Sequence, residues 1–444
     1  MEKDKYLGYV RPGSSIALRS EERIKGEGCA GGFYQVEPRG YVCADRTVTE
    51  TPPEPFWSAA TATHGRPGPM PYSYAFSDGT PMYNRVPTER EIELHEKWLP
   101  KGKVPKTLGY HEELAVAETI PAVDPMPEFF ANGASPRTQP FDVVEQVMPI
   151  GSMLSYTTAF EANGRTWLLS TDHTIVPADR VRPFRISKFH GVDLRKDAAL
   201  PIAFMRVTDK PQFVRGADGS FTANGGHWPV RSWVGLTGKT ESTTHTGPKG
   251  RTIETLYRET RELDGGGAPL WISDADATVV DVETERPSSV KEGQKFLMIH
   301  LESGTLVAYE DMTPVYATLV SPGRGGLPQK GRDNVENATT PIGSFTIVFK
   351  DRAATMSSET GKNRSFWIQD VPHTQYFDPP FALHAAFWHE RFGEFVSAGC
   401  VNLSPLDAEI LFHWTDPPIP DDWQGVSGVS ASENGPTTIV VLRR

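Results

Sequence analysis

Chain-breaking residues constrain this sequence more than any other feature. The chain carries 38 prolines and 40 glycines among 444 residues, and neither residue suits the interior of a long helix. Between them lie short stretches, at 305–309, 314–320, 343–349 and 437–442, in which β-branched and aromatic residues alternate with others or run together. That pattern predicts strands. Helical signals are few. One covers 88–98, where Thr88 and Glu91 form a capping box ahead of Ile92 and Leu94. A second follows Ser404, a good N-cap, with Pro405 at the first helical position and Asp407 placed to complement the helix dipole. The expected fold class is mainly β with short helices.

Charge removes several functional classes. A net charge of −11, with no basic run, excludes a nucleic-acid partner on electrostatic grounds. No stretch of about 18 apolar residues appears, so no bilayer span is predicted. Residues 1–6 precede no apolar segment, so no export signal is expected in this chain. Three cysteines remain. Cys29 and Cys43 lie close in sequence and Cys400 far away, which in an oxidising compartment reads as one local disulfide plus one unpaired thiol. Three unrelated reduced cysteines are the alternative.

The chain divides into four expected regions: a small β module at 1–50, a Pro/Gly-rich irregular region at 51–140 with its short helix at 88–98, one or two further β modules at 141–285, and a larger unit at 290–444. Residues 41–48, 167–175 and 271–279 share a loose pattern, an aromatic and an aliphatic followed by Asp-x-Thr-aliphatic. The pattern resembles the closing strands of bacterial SH3-like modules, small β-barrels often attached to cell-wall enzymes. A coincidence among ordinary hairpins is the competing explanation.

The chemistry concentrates between 381 and 405. A thiol becomes a nucleophile when a nearby imidazole takes its proton. Cys400 follows Gly399 in a turn, which allows close backbone approach to a substrate carbonyl. His384 ends an apolar run that reads as a buried strand, able to hold its ring in one place. An inert core cysteine beside a satisfied histidine is the plain alternative. A zinc site from His384, His389, Cys400 and His413 lacks any known ligand spacing, and no metal or cofactor is expected.

These residues resemble the YkuD family of L,D-transpeptidases, whose motif is a His, a loop, then Ser/Thr-His-Gly-Cys-x-Asn/Arg. Here the series is His384, the loop, then Ser397-Ala398-Gly399-Cys400-Val401-Asn402. Upstream, Thr340-Pro341-Ile342-Gly343 and Phe345 resemble a further family segment. The resemblance covers about 290–444. It implies a two-sheet β-sandwich catalytic domain and an acyl-enzyme on Cys400, with His384 as base and the Ala385 carbonyl orienting its ring. It further implies an oxyanion hole from the amides of Gly399 and Cys400, and a thiol-presenting loop held by Ser397 and Asn402. The implied partners are peptidoglycan stem peptides, a tetrapeptide donor and a diaminopimelate amine acceptor, joined in a 3–3 cross-link by a monomer in the periplasm or cell envelope. One position departs: Ala398 stands where the family has a second histidine. Hydrolysis of the acyl-enzyme, giving an L,D-carboxypeptidase or amidase, and a non-catalytic wall-binding role are the alternatives. Trp388, His389 and Tyr376 are candidates for the substrate groove, with His389 as a spatial substitute for the missing imidazole.

Overall fold

The computed structural model describes residues 6–45, 48–51, 54, 56–99, 104, 106–133, 142–246, 252–357, 366–429 and 437–444. The fold is mainly β. Its core is a six-stranded sheet in the order Val192–Asp193, Thr313–Leu319, Thr305–Glu310, Lys295–His300, Ile439–Arg443, Gly343–Thr346. Strand Lys295–His300 reads as a continuous apolar run because both its faces are covered. Leu297 and Ile299 enter one hydrophobic cluster, Phe296 and Met298 the other, as the two-residue side-chain period of a strand requires. The first cluster is completed by Phe377, Leu383, Val401 and Leu403 from a second sheet and by Leu411 of helix Pro405–Trp414.

That second sheet is where the domain plan needs correction. Strands Phe349–Ser357 and Trp367–Asp378 share one 13-stranded sheet with strands from the N-terminal half, including Met153–Ala162 and Arg165–Ser170. The two halves join through a parallel pairing of Ile368 with Met153. The stretch expected to be irregular, 51–140, supplies strands Ser73–Ser77 and Thr80–Tyr83 to this sheet. Ser73–Ser77 pairs with Met153–Ala162, and Thr80–Tyr83 with Val144–Met148, so the sheet crosses the expected boundary at 140. Burial explains the difference: Tyr74, Ala75, Phe76, Met82 and Tyr83 are all buried, and their pairing partners lie about 60 to 110 residues away, beyond local pattern reading. The end of that expected region, 134–140, lies outside the described residues. The expected helix is present as Glu89–Glu96, with the Thr88–Glu91 capping box formed in both directions.

The three copies of the loose pattern fall in three sheets. Residue Tyr41 begins a strand of a three-stranded sheet closed by the Cys29–Cys43 disulfide, Trp167 lies in the 13-stranded sheet, and Trp271 lies in a separate seven-stranded sheet. Among the described residues no helix is long and apolar enough to cross a membrane.

Two buried charges fix the helix that backs the site. Lys350, fully buried, donates from Nζ to the carbonyls of Phe412, Thr415 and Pro417 at 2.6, 2.8 and 3.0 Å. Its three N–H groups thereby meet orphan carbonyls around the helix C-terminus. Asp407, in the first turn, accepts from the Gly191 amide (2.7 Å), the Tyr316 hydroxyl (2.7 Å) and the Thr318 hydroxyl (2.6 Å). Asp407→Ala strands these three donors in a site with no solvent access. The expected loss of stability is about 3–6 kcal/mol, at roughly 1–2 kcal/mol for each unpaired buried donor. Asp407→Asn, which keeps acceptor capacity, is expected to lose less; urea-unfolding midpoints of the two variants measure the difference.

Candidate active site

Strand register brings the thiol and imidazole together. Phe381–Ala385 pairs in parallel with Val401–Leu403, with Leu383 opposite Val401 and His384 opposite Asn402. Side chains two residues apart share a face. Asn402 therefore projects on the same side of the strand pair as His384, and Cys400 stands immediately before its strand, two residues from the position facing the histidine. Cys400 is half-buried, and its thiol donates to the Pro380 carbonyl at 3.8 Å. In this resting arrangement the thiol is turned along the strand rather than engaged with His384.

His384 is buried and donates from Nδ1 to the Ala385 carbonyl at 3.0 Å. A carbonyl can only accept, so Nδ1 carries the proton and Nε2 has the free lone pair. Burial pulls the imidazole pKa down to about 4 despite that hydrogen bond. Burial pushes the Cys400 thiol up to about 11. Near neutrality the pair is thus a neutral thiol beside a neutral imidazole, and proton transfer has to accompany attack.

The loop before the thiol is tied by Ser397. Its Oγ accepts from the Gly399 amide (3.0 Å) and donates to the Cys400 carbonyl (2.5 Å). Gly399 has φ +127°, and a Cβ there would meet the Phe381 ring at 2.7 Å, so both conformation and space demand glycine. This geometry corrects one expectation. The Gly399 amide is occupied by Ser397 and is not a free oxyanion donor, whereas no backbone partner engages the Cys400 amide among the described residues. Sequence reading missed Thr340 as a tie: its hydroxyl accepts from the Gly323 amide (2.9 Å) and donates to the Gly399 carbonyl (2.8 Å). The Thr340-Pro341 motif was visible, but its contact across 59 residues was not.

The groove candidates separate. Tyr376 is half-buried, and its hydroxyl is pushed up to about 12 by burial, with smaller contributions from Asp351 and the neighbouring Cys400. Trp388 is buried, stacked on the His384 ring at 5.9 Å between centroids, and packs behind the base instead of lining a groove. His389 is fully buried, so it presents no surface to a substrate. The Arg391 amide donates to its Nδ1 at 3.2 Å, which places the ring proton on Nε2. That nitrogen lies 2.9 Å from the Asn402 carboxamide, so the network assigns the amide oxygen to the side facing His389. Asn402 is further held by paired backbone bonds with Ser321, both 2.9 Å. Segment 106–115, outside the motif region, also reaches the site: the Leu114 amide donates to the Trp388 carbonyl (3.2 Å), and the His111 ring packs 6.2 Å from Trp388. Nothing local in the sequence marked that contact.

His111, His373, His384 and His389 are all buried, with pKa values pulled by desolvation to about 4, 3, 4 and 3. In the unfolded chain each takes a proton below about 6.5. Unfolding therefore binds protons at acid pH, and stability falls as pH drops from about 6.5 toward 4, at roughly 1.4 kcal/mol per pH unit for each group. Asp351 and Asp407, whose pKa values burial raises, release protons on unfolding and offset part of this. A net uptake of protons is expected from unfolding free energies measured between pH 6.5 and 4.5; stability that stays flat or rises on acidification contradicts the assignment.

A thiol at the head of one strand and a bare imidazole nitrogen on its parallel neighbour, with a glycine turn presenting the thiol, define the class as a candidate cysteine acyl-transfer site on a β-sandwich. Residues 294–441 match the family model of YkuD, the L,D-transpeptidase catalytic domain, and the chain thus carries a C-terminal YkuD domain. No curated protein matches the sequence. Similar solved structures include the L,D-transpeptidase of Xylanimonas cellulosilytica DSM 15894 (residues 123–326), at 26% identity over 36% of this chain and 64% of that one, TM-score 0.24. This chain thus spans less than two thirds of that relative's length. The catalytic domain of the E. faecium L,D-transpeptidase is 18% identical over 34% of this chain and 99% of that one, TM-score 0.24. An L,D-transpeptidase from Mycobacterium smegmatis is 14% identical over 48% and 99%, TM-score 0.24.

Proposed function

We propose that the protein is a cysteine peptidyltransferase of the cell envelope that forms 3–3 cross-links between peptidoglycan stem peptides. The observation that carries this reading is the pairing of the His384 strand with the strand that Cys400 immediately precedes, within the matched domain. Cys400 Sγ attacks the diaminopimelate carbonyl of a tetrapeptide donor while its proton passes to His384 Nε2. The Sγ–C bond forms, the bond to the terminal D-alanine breaks, and the imidazolium returns the proton to the departing amine. The acceptor's side-chain amine then attacks the thioester, its proton goes to the imidazole, and the free thiol is restored. The Cys400 amide faces the developing oxyanion; one well-placed donor of this kind is typically worth about 10²–10³ in rate.

Ala398 favours a second reading. With no imidazole at that position to handle the acceptor, water resolves the thioester, and the protein is an L,D-carboxypeptidase or amidase. Incubation with defined tetrapeptide muropeptides, followed by mass analysis, tests both. Dimers formed with loss of one D-alanine support cross-linking. Tripeptides plus D-alanine support hydrolysis. Unchanged substrate contradicts both.

A further inference from the structure

The turn beside the thiol loop is pinned by successive backbone amides. Gly323 donates to the Thr340 hydroxyl (2.9 Å), Arg324 to the Ser397 carbonyl (2.8 Å) and Gly325 to the Ala338 carbonyl (3.0 Å). A Cβ on either flanking glycine would strike the backbone of Asn337 or Ala338, so the turn has no room to shift. Ser397 is also the residue whose hydroxyl ties the Gly399 amide and the Cys400 carbonyl. The Arg324 backbone thus reaches Cys400 through Ser397 by two hydrogen bonds.

The Arg324 side chain is exposed, and its polar contact is long, from Nη1 to the Tyr110 hydroxyl at 3.5 Å. Tyr110 belongs to segment 106–115 and packs against the cluster that holds Trp388, whose ring stacks on His384. Burial lowers the pKa of the adjacent His111, and the Arg324 charge adds to that. Arg324 therefore runs from the loop that presents the thiol to the wall that backs the base. A guanidinium carries five N–H donors, and a neutral phenol at that distance leaves its charge unmatched. Neighbouring arginines differ. Arg391 pairs with Glu394 and Arg185 with Glu390, both at 2.9 Å. Arg324 has no carboxylate partner among the described residues. The chain as a whole carries −11, so an anionic substrate approaches against the overall field, and a fixed cation beside the thiol loop counters it locally.

We propose that Arg324 is a specificity-determining residue that binds a free carboxylate of the donor stem peptide. The identity of the donor rests on the transpeptidase reading above. Such a donor offers the carboxylate in two places, on the terminal D-alanine and on the carboxyl of diaminopimelate that is not in the scissile bond. The planar guanidinium fork matches either one with two parallel N–H···O bonds, which neither a lysine nor a neutral side chain reproduces.

Binding is measured on the full chain with Cys400→Ala, so that no turnover intervenes. The probes are a tetrapeptide donor with both carboxylates free, one amidated at D-alanine and one amidated at diaminopimelate, each titrated by calorimetry. At least one amide is expected to bind about tenfold more weakly than the free donor. Arg324→Gln in the same background is expected to bind the free donor about tenfold more weakly, with no further loss for that amide. Arg324→Lys, which keeps the charge without the fork, is expected to fall between. The amide whose loss disappears in Arg324→Gln identifies the carboxylate. Equal affinity for free and amidated donors, an Arg324→Gln loss that is the same for all three probes, or no binding of any donor overturns the proposal. D-alanine release by the protein with Cys400 intact is scored separately. Release together with Arg324-independent binding keeps the transpeptidase reading and overturns this one; Arg324-dependent binding without release does the reverse.

Discussion

Replacing Cys400 with alanine is expected to abolish acyl transfer while leaving the fold in place. The residue sits at the mouth of the strand pair, half-buried, in a loop whose geometry is set by Ser397, Gly399 and Thr340 and not by the thiol. Removing one sulfur therefore deletes chemistry with little packing loss. Without a nucleophile no covalent intermediate forms, and rates are expected to fall by about 10⁴ or more, as for other nucleophile deletions. Product formation from muropeptides, alongside an unchanged urea midpoint, measures both halves of the statement. A variant that still turns over substrate contradicts it.

His384→Ala is expected to slow acylation by about 10²–10⁴, the usual worth of general-base assistance, and to change the shape of the pH profile. In the native protein the base is neutral above a pKa of about 4 and the thiol protonated below about 11. The acylation rate should thus be nearly flat from about pH 5 to 9 and fall on the acid side as the imidazole charges. Without the imidazole, attack requires thiolate generated by solvent, so the variant's rate should climb about tenfold per pH unit across the same range. His389→Ala should cost much less in acylation, because its ring touches Asn402 and not the thiol. Single-turnover acylation followed by an acceptor chase separates the two steps. If His389→Ala blocks acylation and His384→Ala does not, the base is misassigned.

What the sequence made legible was local. The capping box at Thr88 and the cap at Ser404 each need only a few consecutive residues, and both helices form where those signals begin. The run before His384 announces a buried strand through its apolar composition alone, and the strand is Phe381–Ala385. His389 misled because its neighbours are charged. Glu390 and Arg391 suggest an exposed loop, and their side chains do pair outward, with Arg185 and Glu394 at 2.9 Å each, while the ring between Trp388 and Glu390 turns inward to Asn402. The 13-stranded sheet was hidden for another reason. Its central joint is a single parallel contact between Met153 and Ile368, supported by Asp370 accepting from the hydroxyls of Ser155 (2.6 Å) and Thr171 (2.5 Å). Polar contacts at separations near 200 residues leave no periodic trace. The engaged Gly399 amide likewise depends on where one serine hydroxyl points.

The most direct measurement is intact and fragment mass of the protein after brief incubation with a tetrapeptide donor, without acceptor, quenched in acid. The account predicts an added mass equal to the donor less D-alanine, on the fragment containing Cys400. Release of D-alanine with Cys400 unmodified throughout, or an adduct on any other residue, contradicts it.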